Sequence, residues 1–318
     1  MSGTVTTLAG GVGAARMLRG LQAVVPPRDL TAIVNVADDT ELHGLHISPD
    51  LDTVTYTLAE AINPTTGWGL IDETWHAMDA LERYGDLAWF RLGDKDLATH
   101  LFRTHRLREG ATLSAVTAEI AAAWKLALRI IPVTDDRLAT KVTLATDGSA
   151  GAAGTEIGFQ EYFVKHQHSL AISDVRFEGA EKARPAPGVL QAISDADAVV
   201  IAPSNPIVSI GPLLAVPGIR EAITARRDTT VAVSPIIGGA ALKGPADRML
   251  RELGLESSVV GVAHFYREIA SVLVIDDVDR DLAAAVEAEG LRCVVAPTIM
   301  SGLTEAANLA QIVMESVT

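Results

Sequence analysis

Short apolar runs rich in β-branched residues alternate with helical patterns along most of the chain. The runs that we predict to be strands are residues 4–8, 31–36, 198–202, 230–233, 272–275 and 292–296. Between the first two runs, residues 14–24 carry apolar side chains at helical spacing. Strands this apolar are typical of a parallel sheet that helices cover on both faces. The alternation therefore predicts a three-layer, Rossmann-like α/β fold with a mostly parallel sheet.

The middle of the chain has a different pattern. Amphipathic helices are predicted at residues 73–84, 97–107 and 114–124, and residues 140–178 have the pattern of short strands around a Gly/Ala-rich turn. No Pro- or Ser-rich linker flanks this part. We therefore predict a single domain over residues 1–318, with a mainly helical insertion at about 68–178 that covers the substrate cleft.

The composition narrows the classes of protein and partner. Hydrophobic residues make up 48% of the 318 residues, yet no run approaches the roughly 18–20 apolar residues of a membrane span. Lys and Arg number 26 against 40 Asp and Glu, and the net charge of −14 disfavours binding to a nucleic-acid backbone. Cys293 is the single cysteine, which excludes an internal disulfide and a cysteine zinc cluster. We expect a cytoplasmic enzyme that acts on small molecules, without nucleic-acid or membrane partners.

The first predicted strand leads into a glycine turn, Gly10-Gly11-Val12-Gly13, and then into a helix. This arrangement lets a phosphate approach backbone amides at the positive end of the helix. Arg16, one turn further on, could reach the same phosphate or form a surface salt bridge. The dinucleotide-binding fingerprint requires a third glycine where this chain has Arg16, and no Walker lysine is present. A phosphate site that does not bind nicotinamide is therefore favoured over a generic β–α turn.

Four carboxylates follow the second predicted strand: Asp38, Asp39, Asp50 and Asp52. Ligands of open α/β sheets bind beyond the carboxyl ends of the strands. Carboxylates there would repel a phosphate unless a hard cation bridged them, and Mg²⁺ does so with one or two carboxylates plus phosphate oxygens. We therefore predict Mg²⁺ as the cofactor, with ligands among these four acids. The alternative is that Asp38 and Asp39 end the strand while Asp52 caps a helix beginning near Thr53.

Further motifs lie in predicted loops. Residues 93–96 (GDKD) could position a polar ligand or cap the helix that follows. Residues 203–206 (PSNP) directly follow a predicted strand, and residues 209–212 (SIGP) open another helix. Residues 235–239 follow the next strand. Because these loops end strands of one sheet, together they favour one shared cleft.

The order of these motifs resembles the 2-phospho-L-lactate transferase family, called CofD in archaea and FbiA in actinobacteria. The resemblance extends from Thr4 to about Val317. Besides the glycine turn, the motifs that carry it are SPDLDT at 48–53, LGDKD at 92–96, ATH at 98–100, PSNP at 203–206, SIGP at 209–212 and VSPIIGG at 233–239.

This resemblance implies a Mg²⁺-dependent group transfer. A phosphoenolpyruvyl or 2-phospholactyl group would move from a guanosine-diphosphate-linked donor to the hydroxyl of the deazaflavin Fo. The products would be dehydro coenzyme F420-0, or coenzyme F420-0, and GMP. The chain is most similar to the actinobacterial form, whose donor carries enolpyruvate. The family also implies a homodimer.

The resemblance further implies roles for individual residues. It implies catalysis by Asp50, Asp52 and Lys95, and contacts to Fo from Asp52, Asp94 and Lys95. The residues implied to hold the nucleotide and its phosphates are Gly10, Gly11, Gly13, Arg16, Ser204, Asn205, Ser209 and Gly211. The implied metal ligands are Asp38, Asp39, Asp50 and Asp52.

Two other interpretations stay open. A YvcK-like regulatory protein shares the glycine turn and the Ser-Asn-Pro loop, and binds nucleotide sugars without transferase activity. A nicotinamide dehydrogenase is opposed by the incomplete fingerprint. The acidic runs at residues 50–52 and 94–96 favour the transferase over both.

Overall fold

The computed structural model describes residues 3–85, 89–242 and 244–317. The strands are β1 (Val5–Ala9), β2 (Leu30–Val34), β3 (Thr40–Leu42), β4 (Leu45–Ile47), β5 (Arg129–Pro132), β6 (Ala139–Leu144), β7 (Glu156–Gly158), β8 (Ile172–Glu178), β9 (Ala198–Ile201), β10 (Thr230–Val233), β11 (Ile236–Ile237), β12 (Ala240–Ala241), β13 (Val272–Ile275) and β14 (Arg292–Val295). The α-helices are α1 (Gly11–Val24), α2 (Pro49–Leu58), α3 (His76–Leu81), α4 (Asp96–Arg108), α5 (Leu113–Ala123), α6 (Val189–Asp195), α7 (Gly211–Ala215), α8 (Ile219–Thr224), α9 (Ala246–Glu252), α10 (Val259–Tyr266), α11 (Ala283–Ala288) and α12 (Leu303–Glu315).

Seven of the strands form one sheet in which every pair of neighbours is parallel. Their order is β14-β13-β10-β9-β1-β2-β5. Val5 of β1 lies in register with Leu30 of β2 on one side and Ala198 of β9 on the other. Every residue of β1, β9, β10 and β13 is buried, as expected for apolar strands that are covered on both faces. The predicted Rossmann-like α/β fold is therefore confirmed.

The direction in which the chain winds reverses between β1 and β9. From β1 the chain proceeds outward through β2 to β5, whereas from β9 it proceeds the other way through β10 and β13 to β14. Because parallel crossovers are right-handed, this reversal places the connecting helices on opposite faces of the sheet. α1 packs against α2 and α12, while α6 packs against α8 and α10 against α11. The carboxyl ends of β1 and β9 thus mark the switch point of the sheet.

The hydrophobic core lies between the main sheet and these helices. α1 and α12 are in especially close contact, because a Cβ at Gly20 would lie only 2.2 Å from the carbonyl oxygen of Ala306. No helix in the described ranges is long and apolar enough to cross a membrane.

The predicted insertion is interrupted by a strand of the main sheet. β5 lies within residues 68–178 and pairs with β2 at the sheet edge. Its four residues are too short a run to be distinguished by periodicity from the segment around them. α3, α4 and α5 precede β5, and a small antiparallel sheet of β7, β6 and β8 follows it. Part of the span, residues 86–88, lies outside the described residues. The single-domain organisation stays a prediction.

Candidate functional site

A cleft of about 390 Å³ opens at the carboxyl edge of the main sheet, at the neighbouring ends of β1 and β9. Its volume is within the usual range of small-molecule sites. The glycine turn after β1, the loop after β9 and the start of α2 line the part nearest the sheet. Residues of the helical segment, of the small sheet and of the β11–β12 hairpin line the rest. The switch point therefore positions the cleft, as in other open α/β sheets.

The glycine turn and the loop after β9 are in direct contact. Ser204 Oγ donates a hydrogen bond of 2.8 Å to the carbonyl oxygen of Gly10. A Cβ at Gly13 would lie 2.2 Å from the carbonyl oxygen of Pro203, so only glycine fits at this crossing. α1 begins at Gly11 with neither an acidic residue in its first turn nor a side-chain cap. The Gly11 amide donates to Asp50, and the amides that follow it in the first turn are open to an anion.

Seven of the eight residues predicted to hold nucleotide or phosphate line the cleft. They are Gly10, Gly11, Gly13, Arg16, Ser204, Asn205 and Ser209. Gly211 does not line it and instead packs beneath Phe177, whose ring would lie 3.1 Å from a Cβ at that position. Arg16 also donates to the carbonyl oxygen of Met300 at 3.2 Å, and Asn205 caps the turn that follows it. The structure brings these seven residues together at the cleft, while the ligand that they bind stays a prediction.

Asp38 and Asp50 share one amide donor. Nδ2 of Asn35 donates to Oδ2 of Asp50 at 2.9 Å and to Oδ2 of Asp38 at 3.4 Å. Both acids are buried residues that line the cleft. Burial, together with the neighbouring Asp50, raises the pKa of Asp38 well above its usual value. Burial also raises the pKa of Asp50 to about 6, although hydrogen bonds from Asn35 and the Gly11 amide oppose the rise.

This acidic pair has the properties of a cation site. Oδ1 of Asp38 is buried and has no well-formed hydrogen bond within the described ranges, although the nearby Thr140 hydroxyl lowers the pKa of this carboxyl. No described Lys or Arg forms an ion pair with Asp38 or Asp50, so neither charge is compensated. Two desolvated carboxylates that repel each other are stabilised by a cation between them. Their oxygen ligands therefore fit a hard divalent ion such as Mg²⁺.

Asp39 lies close enough to Asp38 and Asp50 for its charge to raise the pKa of both, but its own carboxylate is engaged by other residues. Its Oδ2 accepts a hydrogen bond of 2.7 Å from Ser48 Oγ and lies 3.0 Å from Nε2 of His46. It is not among the residues that line the cleft. Of the four acids predicted as metal ligands, Asp39 is therefore the one that the structure does not bring there.

Asp52 lines the cleft but is paired with Arg103. The guanidinium donates to both carboxylate oxygens, with Nη1 3.1 Å from Oδ2. Both side chains are almost completely buried. Burial raises the pKa of Asp52, and the charges of Arg103 and His100 oppose the rise. The alternative that Asp52 caps a helix near Thr53 is wrong, because α2 begins at Pro49 and places Asp52 in its first turn.

Asp94 and Lys95 lie outside the cleft lining. The carboxylate of Asp94 accepts hydrogen bonds from Thr74 Oγ1 at 2.6 Å and from two backbone amides at the start of α3. The hydrogen bond from Thr74 lowers the pKa of Asp94. Nζ of Lys95 donates to the carbonyl oxygen of Ile71 at 2.9 Å. Both side chains thus hold the segment before α4, and their predicted contacts with Fo and their predicted role in catalysis stay predictions.

The sequence from residue 5 to residue 305 matches the family described as 2-phospho-L-lactate transferase CofD. The chain belongs to this family. A phosphoenolpyruvate transferase of Streptomyces griseus is 46% identical over 313 residues, which cover 98% of this chain and 97% of the relative. The protein of the same name from Mycolicibacterium smegmatis is 40% identical over 309 residues, 93% of each chain. The CofD family and these relatives identify the chain as a transferase of coenzyme F420 biosynthesis.

The fold is shared with a solved structure of low sequence identity. A member of the UPF0052 family from Bacillus halodurans superimposes with a TM-score of 0.63 over 99% of both chains, at 17% identity. At this identity the similarity concerns the fold alone.

In this CofD family member, three further polar residues line the cleft: Tyr56, Asp96 and His100. None of them was assigned a site role from the sequence, although Asp96 and His100 lie in the quoted motifs. Asn35 and Arg103, which were not assigned a role either, hold acids of the cleft. Asp52, Asp96 and His100 could together hold a metal ion, because their ligand atoms lie within 4.8 Å of one another. The guanidinium of Arg103 already supplies a positive charge to Asp52, however, so the uncompensated pair of Asp38 and Asp50 is the better cation site.

A helical signal for three of the missed residues was present in the sequence. Asp96 and His100 are four residues apart, as are Asp52 and Tyr56, and each such spacing places two side chains on one helix face. The pairing of the two faces, α2 against α4, is a tertiary contact that periodicity does not reveal.

Proposed function

We propose that the chain transfers a phosphoenolpyruvyl group from a guanosine-diphosphate-linked donor to the hydroxyl of Fo, with GMP as the leaving group. The product would be dehydro coenzyme F420-0. With a 2-phospholactyl donor, the same site would give coenzyme F420-0. The observation that carries the proposal is the uncompensated pair of Asp38 and Asp50 beside the glycine turn, because a diphosphate held by a divalent cation requires both features.

The donor diphosphate would lie between the glycine turn and the loop after β9. Backbone amides at the start of α1 and the hydroxyls of Ser204 and Ser209 offer donors to its oxygens. Asp38 and Asp50 would hold Mg²⁺, which neutralises charge on the diphosphate and on the departing GMP. Asn35 keeps both carboxylates oriented toward each other for this task.

The transfer itself would be a direct displacement at phosphorus. Cys293, the single thiol, lies on β14 and is not part of the cleft lining, which leaves no cysteine nucleophile there. The acceptor hydroxyl would then attack the donor phosphorus in line with the bond to GMP. The roles predicted for Asp50 as a cation ligand and for Asp52 beside the acceptor are retained in this proposal.

Apolar rings offer a surface for the planar deazaflavin. Phe159 and Phe163 line the cleft from the small sheet side, and their rings are stacked with centroids 5.5 Å apart. Trp68 and Phe90 line it from the helical segment. A flat conjugated ring between aromatic side chains gains both burial and stacking energy. We therefore place the ring of Fo in this part of the cleft.

One assay tests the proposal. The purified protein is incubated with Fo, Mg²⁺ and each guanosine-linked donor (enolpyruvate, lactate or glycerate), and the deazaflavin product is weighed by mass spectrometry. We expect a product whose mass identifies dehydro coenzyme F420-0, and equimolar GMP. Binding of guanosine nucleotide without transfer from any donor would contradict the proposal and favour a regulatory protein of the YvcK kind.

The predicted homodimer is tested separately. Light scattering during size-exclusion chromatography should give twice the chain mass of 33.5 kDa. A mass of one chain at micromolar concentration would contradict it.

A further inference from the structure

Four carboxylates line the cleft, and three of them already have an assigned partner or task. Asp38 and Asp50 form the uncompensated pair that fits a cation. Asp52 has both oxygens on the guanidinium of Arg103. Asp96, the first residue of α4, is the fourth. Its contacts are those of a carboxylate that is held in place but retains free lone pairs.

Asp96 is held by two partners from two different helices. Tyr56 of α2 donates its hydroxyl to Oδ1 of Asp96 at 2.6 Å. Nε2 of His100, one turn along α4, lies 3.4 Å from Oδ2. The side chain of His100 is only 1% exposed, and this nitrogen has no well-formed hydrogen bond to any described residue. These two neighbours fix the orientation of the Asp96 carboxylate, and His100 can share a proton with it.

Four features keep Asp96 ionised although it is largely buried. Burial works to raise the pKa of Asp96, but His100, the Tyr56 hydroxyl and the charge of Arg103 lower it overall. Its position at the start of α4 adds the favourable end of the helix dipole. The side chain remains 15% exposed, whereas that of Asp52 is 7% exposed. Asp96 is thus a charged base with access to the cleft.

We propose that Asp96 is a catalytic residue that accepts the proton of the acceptor hydroxyl, while Tyr56 and His100 act as positioning residues. The inference rests on the proposed transfer to an alcohol. As the hydroxyl oxygen forms its bond to the donor phosphorus, its O–H bond breaks and the proton passes to Oδ2 of Asp96. The bond from phosphorus to the GMP oxygen breaks at the same time, and its electron pair leaves with GMP. The proton on Asp96 then returns to solvent through the cleft.

A carboxylate with a low pKa can still act as this base. In protein kinases the Asp of the catalytic loop accepts the proton of the attacking hydroxyl, so an ionised Asp can serve as the base in phosphoryl transfer. Asp52 is less suited, because protonation would disrupt its ion pair with Arg103. Lys95, which precedes Asp96 in the chain, is directed to the carbonyl oxygen of Ile71 and not to the cleft.

The test compares Asp96→Asn with Asp228→Asn, a matched change at a carboxylate that is 97% exposed and remote from the cleft. Transfer from enolpyruvyl-diphospho-guanosine to Fo is followed at saturating substrate, and Fo affinity is measured by quenching of its fluorescence. We expect Asp96→Asn to lower kcat at least about 100-fold while the Kd of Fo changes less than about threefold. Asp228→Asn should leave both unchanged.

The pH profile separates a base from a structural role. The charged or titratable groups that face Asp96 are His100 and Arg103 of α4, Asp52 and Tyr56 of α2, and Glu73. The Glu73 carboxylate accepts a hydrogen bond from the backbone amide of Asp96. Because hydroxide replaces the lost base, the residual rate of Asp96→Asn should rise about tenfold per pH unit, and the wild-type rate should not. Tyr56→Phe should lower kcat about tenfold and keep the wild-type pH profile.

Each outcome decides one question. If the wild type transfers the group and Asp96→Asn retains kcat within about threefold, Asp96 is not the base and the proposed function stands. A loss of kcat with a pH profile parallel to that of the wild type would likewise overturn the inference. If the wild type itself transfers nothing from any donor, the proposed function fails instead.

Discussion

Arg103 donates hydrogen bonds to both carboxylate oxygens of Asp52, and both residues are buried beside the cleft. A cation that binds Asp52 would have to compete with the guanidinium of Arg103. The contact between the two residues also links α4, which belongs to the predicted insertion, to α2, which follows β2 of the main sheet and the β3–β4 hairpin in the chain. The Arg103–Asp52 ion pair therefore connects the helical segment at the cleft with α2, whose first turn lines the part of the cleft nearest the main sheet.

Breaking this ion pair from one side should destabilise the protein. Arg103→Met leaves the Asp52 charge buried and unpaired, and we expect the free energy of unfolding in urea to fall by about 3–5 kcal/mol. Arg103→Met with Asp52→Leu should recover most of that loss, because an apolar pair of similar size can replace a buried ion pair.

A surface pair supplies the control for Arg103. Arg176 and Glu156 form an exposed ion pair, so Arg176→Met should leave stability almost unchanged. If Arg103→Met alone unfolds at the same urea concentration as the wild type, burying the Asp52 carboxylate does not require the charge of Arg103.

Asp38→Asn should stabilise the protein without metal and abolish its response to Mg²⁺. This change removes a carboxylate whose pKa is raised first by burial and then by repulsion from Asp50, so both unfavourable effects are relieved. We expect a higher unfolding temperature than the wild type in EDTA, by differential scanning fluorimetry, and a much smaller increase on adding Mg²⁺ with GDP. Asp39→Asn is the matched comparison, because Asp39 lies outside the cleft lining, and its Mg²⁺ response should persist. An unchanged Mg²⁺ response in Asp38→Asn would contradict the assignment.

The stability of the metal-free protein should depend on pH through Asp50. The pKa of Asp50 is raised from 3.8 to about 6 by burial, so the folded state binds a proton more tightly than the unfolded chain does. This carboxyl favours folding most at low pH, and its contribution is lost as pH rises from about 4 to about 6. Relative to Asp50→Asn in EDTA, the wild type should lose on the order of 2–3 kcal/mol across that range. A difference between the two proteins that is constant from pH 4 to pH 7 would refute the shift.

Gly13→Ala should damage the nucleotide site through the backbone. The new Cβ would lie 2.2 Å from the carbonyl oxygen of Pro203, which is main chain and cannot rotate away. We expect a loss of stability of about 1–3 kcal/mol and a fall in GDP affinity of at least about tenfold, measured by calorimetry. Gly158→Ala is the control, because no atom lies within 4 Å of a Cβ there. Normal GDP affinity in Gly13→Ala would show that the two loops can separate freely.

Periodicity predicted the main sheet well because its inner strands are buried on both faces. All six predicted strands of the sheet agree with the structure to within two residues at each end. β5 was missed because a four-residue edge strand carries too few side chains to establish a period.

The site was only partly predictable. The acids that follow β2 were found from the sequence because they end a strand at the sheet edge, where ligands bind. Which of them carries an uncompensated charge depends on partners that are distant in the chain. Arg103 lies 51 residues from Asp52, and Asn35 lies 15 residues from Asp50. The spacing of Asp38, Asp39, Asp50 and Asp52 in the sequence does not distinguish one acid from another, whereas their tertiary contacts do.

The most direct test of the cation site is a crystal grown with GDP and Mn²⁺, examined by anomalous scattering. Mn²⁺ replaces Mg²⁺ on oxygen ligands and gives a signal that locates the ion. We expect a peak within direct ligand distance, about 2.1 Å, of carboxylate oxygens of Asp38 and Asp50 and in contact with the diphosphate. A peak among Asp52, Asp96 and His100, or bound GDP with no peak beside Asp38 and Asp50, would contradict this account.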